Sequence, residues 1–75
     1  MEMHVNKHST RKELLAQLRR GERGTIHVEE AALICEIGRN QMYQAVQRDE
    51  IPHLGLGKRI LIPVAPFLQW LDGTK

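Results

Sequence analysis

Disulfide chemistry is absent from this chain, which holds one cysteine, Cys35, and therefore cannot form an internal bridge; an unpaired thiol suits a reducing compartment. No apolar run approaches the ~18 residues that a membrane-spanning helix requires, and the opening stretch MEMHVNKHST is too polar for the apolar segment of a secretion signal. The expectation is a soluble intracellular protein with no membrane partner. No Ser-His-acid set, glycine-rich phosphate loop or zinc-type spacing is present. His4, His8, His27 and His53 form no tight cluster with Cys35 or the acids. A non-enzymatic chain with no metal and no cofactor is expected. At 75 residues it has room for one domain. A domain of that size buries only about 60–65% of the surface of its unfolded chain, so an enclosed pocket for a small-molecule substrate is not expected. Repeats and low-complexity segments are also lacking. The most local absence is electrostatic: between Glu36 and Asp49 there is no acidic residue.

What is present is a globular composition, 41% apolar and 27% charged, with a formal net charge of +2 and a pI near 9.0. After a loose arm over residues 1–8, STRKELLAQLRRG reads as a helix. Ser9 or Thr10 can cap it, Thr10 and Glu13 fit a capping box, and Gly21 can supply the left-handed end. Leu14, Leu15 and Leu18 form its apolar stripe. After the connector GERG, a second helix is expected to begin at Val28, with Glu29 and Glu30 in its first turn. Its inward face is Ala31, Ala32, Ile34 and Cys35. EIG interrupts the pattern, and Gly38 can cap a third helix over residues 39–48. There Met42, Tyr43, Ala45 and Val46 form the buried stripe, and Asn40, Gln41, Gln44, Gln47 and Arg48 lie opposite.

Pro52 ends any helix, and HLGLGKRILIP reads as a hairpin. Parity favours a three-residue loop, 57–59. Leu56 then opposes Ile60, Leu54 opposes Ile62, all four share a core-facing side, and Leu61 turns outward. PVAPFLQWLDG closes the chain as a helix with prolines in its first turn and bulk from Phe67, Leu68, Trp70 and Leu71. The fold class expected is mainly α with a small β-hairpin: a winged helix-turn-helix over residues 25–75, preceded by an arm and an extra helix over residues 1–24.

Two short helices and a basic-tipped hairpin suit duplex DNA, because a major groove about 12 Å wide admits one helix. That helix must be apolar on its braced side and polar on its groove side, as residues 39–48 are. Asn and Gln can bond both groups of an adenine edge, so Asn40, Gln41 and Gln44 are the base-reading candidates. Arg39, Arg48, the hydroxyl of Tyr43 and His53 are placed for phosphates, and Lys58 and Arg59 for an adjacent, more negative minor groove. Arg11, Lys12, Arg19, Arg20 and Arg23 add positive potential. Leu61 is a candidate protein–protein contact, and Cys35 reads as core.

The span IHVEEAALICEIGRNQMYQAVQRDEIPHLGLGKRILIPVAPFLQWL, residues 26–71, resembles the phage excisionase type of DNA-binding domain, or recombination directionality factor, related to the winged helices of MerR-like regulators. The likeness rests on VEEAA at 28–32, Ile37, Arg39, Tyr43, Ile51 with Pro52, LGKR at 56–59, Ile62 with Pro63, and LxWL at 68–71. It implies sequence-specific binding at adjacent sites, often as a head-to-tail array of copies. It further implies DNA bending, and help to a phage integrase in excising a prophage within the cytoplasm and nucleoid of a bacterial host. Five positions depart from the family pattern. Glu36 stands at the turn where a small residue is usual, Gly38 at the cap, Gln44 and Gln47 at basic positions, and Leu61 at a polar one. Two alternatives stand beside this reading. One is a small MerR-like or AlpA-like transcription regulator, although the chain has no room for a long dimerising helix or an effector domain. The other is a protein-interaction module that holds an integrase without reading DNA.

Overall fold

Seven elements make up the described residues, some bounded by glycine or proline and others by the packing of the core. The computed structural model describes residues 7–73, which form α1 (Lys7–Arg19), β1 (Thr25–His27), α2 (Val28–Cys35), α3 (Arg39–Gln47), β2 (Leu54–Leu56), β3 (Arg59–Pro63) and α4 (Val64–Gly73). Most of the arm expected over residues 1–8 lies outside the described residues. The remainder is corrected: the backbone is already helical at Lys7. Ser9 and Thr10 therefore sit inside α1 and neither can cap it; Ser and Thr in a helix cost only a few tenths of a kcal/mol against better formers, roughly 0.5. A long-range contact secures this end of α1. Arg11 Nε donates to the backbone carbonyl of Ile34 at 2.6 Å, one of the unpaired carbonyls at the end of α2.

Three helices end in the same way. After α1, Gly21 N–H bonds Leu18 O and Glu22 N–H bonds Gln17 O. After α2, Glu36 bonds Leu33 O and Ile37 bonds Ala32 O; after α3, Asp49 bonds Val46 O and Glu50 bonds Ala45 O. Each is a Schellman motif, which needs a left-handed residue. That residue is Gly21 in the first (φ +74), but Glu36 (φ +60) and Asp49 (φ +62) in the others. The helix-turn-helix corner thus places a carboxylate side chain where glycine is the unstrained choice.

The strands form one antiparallel sheet in the order β1-β3-β2. Strand β1 was not foreseen: three residues are too few to show an alternation. The register of the hairpin differs from the expected one. Leu54 pairs with Leu61, Gly55 with Ile60 and Leu56 with Arg59, so the loop is the two residues Gly57 and Lys58, and Arg59 belongs to β3. Positive φ at Gly57 and not at Lys58 has the sign pattern of a type II′ turn, which matches the strand twist. The four apolar residues therefore split. Ile62 is buried, paired with the buried Ile26 of β1, whereas Leu54 and Leu56 are 45% and 59% exposed. Parity failed because it assumed that every leucine was needed inside. Helices supply most of the core instead, and one sheet face suffices to close it.

The core joins Leu14 and Leu18 of α1, Ile26, Val28, Ala31, Ala32 and Ile34 of β1 and α2, Met42 and Val46 of α3, Ile51, Ile62, and Val64 and Phe67 of α4. Each large side chain among these contributes about 1.5–3 kcal/mol by leaving water. Tyr43, Ala45 and Cys35, expected inside, are half-buried, as are Leu15, Leu68, Trp70 and Leu71. Phe67 and Trp70 stack with centroids 5.9 Å apart. Helix α1 is thus part of the same core, and its last turn is tied to α4 by a two-bond ion pair, Arg19 to Asp72, at 2.7 Å each. No helix among the described residues is long and apolar enough to cross a membrane.

Candidate nucleic-acid interface

Helix α3 packs through Met42 and Val46 and leaves Arg39, Asn40, Gln41, Gln44, Gln47 and Arg48 exposed. The 3.6-residue period accounts for this division: positions 42 and 46 are one turn apart, and 40, 41, 44, 47 and 48 fall on the remaining arc. Gly38 precedes the helix with extended backbone (φ −71, ψ 154).

The exposed residues are not equally available. Gln41 Oε1 accepts the backbone N–H of Gly38 at 3.1 Å. Since Gly38 has no side chain, this is one half of a capping box, supplied from the third helical position. The Asn40 side chain has no hydrogen-bond partner among the described residues. Gln44 Oε1 accepts a long bond from Arg48 Nη2 at 3.5 Å, and Arg48 Nε also lies 3.8 Å from Glu50. Arg39 Nε lies 3.9 Å from Glu29.

Glu29 was not foreseen as part of this surface. It stands in the first turn of α2, faces Arg39, and accepts a long bond of 3.4 Å from the hydroxyl of the half-buried Tyr43. No sequence signal could have found a contact across 14 positions. The start of α2 carries a second acid as well. Glu30 accepts the backbone N–H of His27 at 2.9 Å and a two-bond pair from Arg23 at 2.9 Å each. Burial alone would push the Glu30 carboxyl up. The bonds from Arg23 and His27 N–H and the attraction of both residues outweigh it, so its pKa falls below the ordinary value. The start of α2 therefore carries two carboxylates, and the His27 N–H that precedes it is already bonded to Glu30.

On the wing, Lys58 and Arg59 are exposed, and neither has an ion-pair partner among the described residues. Arg59 sits directly opposite Leu56. A groove of about 210 Å³ runs between wing and helices, lined by His27, Val28, Glu29, Tyr43, Lys58, Arg59, Ile60 and Leu61. It brings the wing cations and Tyr43 to one concave surface. His53 is half-buried in the loop between α3 and β2, its Nδ1 donating to Ile51 O at 2.9 Å and its Nε2 3.8 Å from Asp49. Leu61 is half-buried on the sheet face opposite Ile60 and Ile62, flanked by His27 and Leu54. Cys35 is half-buried, and burial pushes its thiol pKa up against the pull of Arg11, away from the thiolate that redox chemistry needs. No group of three His, Cys, Asp or Glu that could hold a metal ion occurs among the described residues.

No curated protein and no solved structure matches the chain. A family model, that of the helix-turn-helix domain, matches residues 26–75, from β1 through α2, the corner, α3, the wing and α4. Covering two-thirds of the sequence, this match shows that the chain belongs to the helix-turn-helix domain family, a membership that supports double-stranded DNA as its partner.

Proposed function

We propose that the protein is a sequence-specific DNA-binding and DNA-bending factor of the excisionase type, which binds adjacent sites and directs a phage integrase toward excision. The observation that carries the DNA-binding reading is the pairing of an exposed, acid-free polar face on α3 with two unpaired cations on the wing. Helix α3 is about 13 Å long at 1.5 Å per residue, enough to lie in one major groove. Asn40 and Gln44 read base edges, and Gln41 takes part through its amide N–H groups, because its oxygen holds the cap. Arg39, Arg48, the Tyr43 hydroxyl and His53 serve phosphates. Lys58 and Arg59 follow the neighbouring minor groove, where negative potential is concentrated. The excisionase role rests on the resemblance of residues 26–71. Leu61 contributes to contact between copies on DNA.

Gel-shift titration on a selected duplex against random duplex tests the binding. If about five phosphates are neutralised, log K should fall against log salt with a slope of roughly −4 to −5. Equal affinity for both duplexes would instead leave a protein-interaction module. Footprinting on an attachment region with and without integrase tests the role: phased adjacent protections and stimulated excision support it. Protection of a promoter with no effect on excision would assign a small AlpA-like transcription regulator using the same surface.

A further inference from the structure

We propose that Leu56 is a minor-groove wedge, an apolar side chain that the wing presses against a base step to bend the duplex. This rests on the placement of the wing in a minor groove given above, and it names the residue that does the bending.

Leu56 is the most exposed large hydrophobic side chain among the described residues, at 59% against 45% for Leu54 and 39% for Ile37. It ends β2, opposite Arg59 and next to the Gly57–Lys58 turn. Directly opposed residues share a sheet face, so Leu56 and Arg59 project together, and Arg59 lines the concave groove that also holds Tyr43. An apolar group flanked by two cations without carboxylate partners fits a partner that is anionic at its rim and apolar within. A minor groove has that profile, with phosphates along its edges and sugars and stacked bases inside.

The glycines on either side sharpen the case. Gly57 has φ +61, which the turn requires. Gly55 has neither a positive φ nor any atom within 4 Å of where a Cβ would stand, so nothing inside the fold calls for a glycine there. One use of a glycine within a strand is to let another molecule approach closely. With both neighbours bare, the tip is thin enough for a groove about 6 Å wide, and Leu56 is the apolar side chain left to enter it. Leucine is among the residues that architectural proteins insert to kink DNA by about 20–90°. A second copy of the chain is the weaker occupant, since Leu54, Leu56 and Leu61 cover far less than the ~800 Å² per partner of a stable interface.

The test uses the full chain on a duplex that it selects from a randomised pool, with bending read by circularly permuted fragments and unstacking by 2-aminopurine fluorescence beneath the wing. Leu56→Ala should at least halve the bend and abolish the fluorescence rise while lowering affinity by no more than about tenfold. Leu56→Phe should restore both, and Leu54→Ala should change neither. An unaltered bend with Leu56→Ala overturns the wedge. So does a variant that bends single sites normally but loses cooperativity on paired sites, because the leucine then serves a neighbouring copy. Lys58→Ala with Arg59→Ala separates the two levels: unchanged affinity and salt slope would remove the wing from the DNA altogether, whereas weakened binding beside a Leu56-independent bend refutes the wedge alone.

Discussion

The guanidinium of Arg11 holds the end of α2: its Nε donates to the Ile34 carbonyl at 2.6 Å and lies 3.4 Å from the Glu36 carboxylate. A cation at a helix C-terminus both satisfies an open carbonyl and opposes the negative end of the helix dipole. Because the corner between α2 and α3 begins here, α1 braces the helix-turn-helix unit. Arg11→Ala is expected to lower stability by about 1–2 kcal/mol. Arg11→Lys, with no planar fork, should restore less than half of that in thermal melts.

Glu36 occupies a left-handed position that costs a side-chain-bearing residue about 1–2 kcal/mol. Glu36→Gly removes that strain, loses an exposed pair with Arg11 and adds backbone entropy to the unfolded chain. The net expectation is a gain of about 0.5–1 kcal/mol, seen as a raised Tm. Asp49→Gly should gain less, since Asp tolerates this region better. A fall in Tm for Glu36→Gly would mean that the Arg11 pair outweighs the strain.

Gln41 links the start of α3 to its own first turn, and Gln41→Ala exposes the Gly38 N–H. A loss of about 1 kcal/mol is expected, near 4–8 °C in Tm for a domain of this size. Base preference, measured on a panel of single-substituted sites, should shift less than for Asn40→Ala or Gln44→Ala, each of which should cost roughly 1–3 kcal/mol at one or two positions. Equal loss of preference in all three variants would make Gln41 a full reader.

Glu30 binds its proton less readily folded than unfolded, so it contributes stability above its unfolded pKa of about 4.3. That contribution is lost as pH falls through the lower, folded value. Glu30→Gln should therefore flatten the acid limb of a stability–pH curve below about pH 4.3 while reducing stability at neutral pH. An acid limb as steep as that of the wild type would place the titration elsewhere.

Much of this architecture was legible before any coordinates. Gly21, Gly38, Pro52 and Pro63 mark ends of elements, and the spacing of Met42 and Val46 sorts α3 into packed and open sides. Legibility stopped where the deciding partner lies far away in sequence. The register of the hairpin depends on which face the core accepts, and β1 decides that by pairing Ile26 with Ile62. The left-handed residues Glu36 and Asp49 carry no compositional sign, because the helices stop where core packing turns the chain rather than where a glycine permits it. At the interface, the period exposed Asn40, Gln41 and Gln44. It could not show that the Gln41 oxygen is committed to Gly38, or that Glu29 sits among the cations.

Strand β2 has consequences for handling as well as for recognition. It is an outer strand of the sheet, with a leucine on each side of Gly55 open to water, a combination that invites strand-to-strand addition between molecules. Its shortness and the charge of Lys58 and Arg59 restrain such growth in dilute, low-salt solution. Concentrated or high-salt stocks, where that repulsion is screened, should turn cloudy first, and added duplex should clear them by covering the same strip.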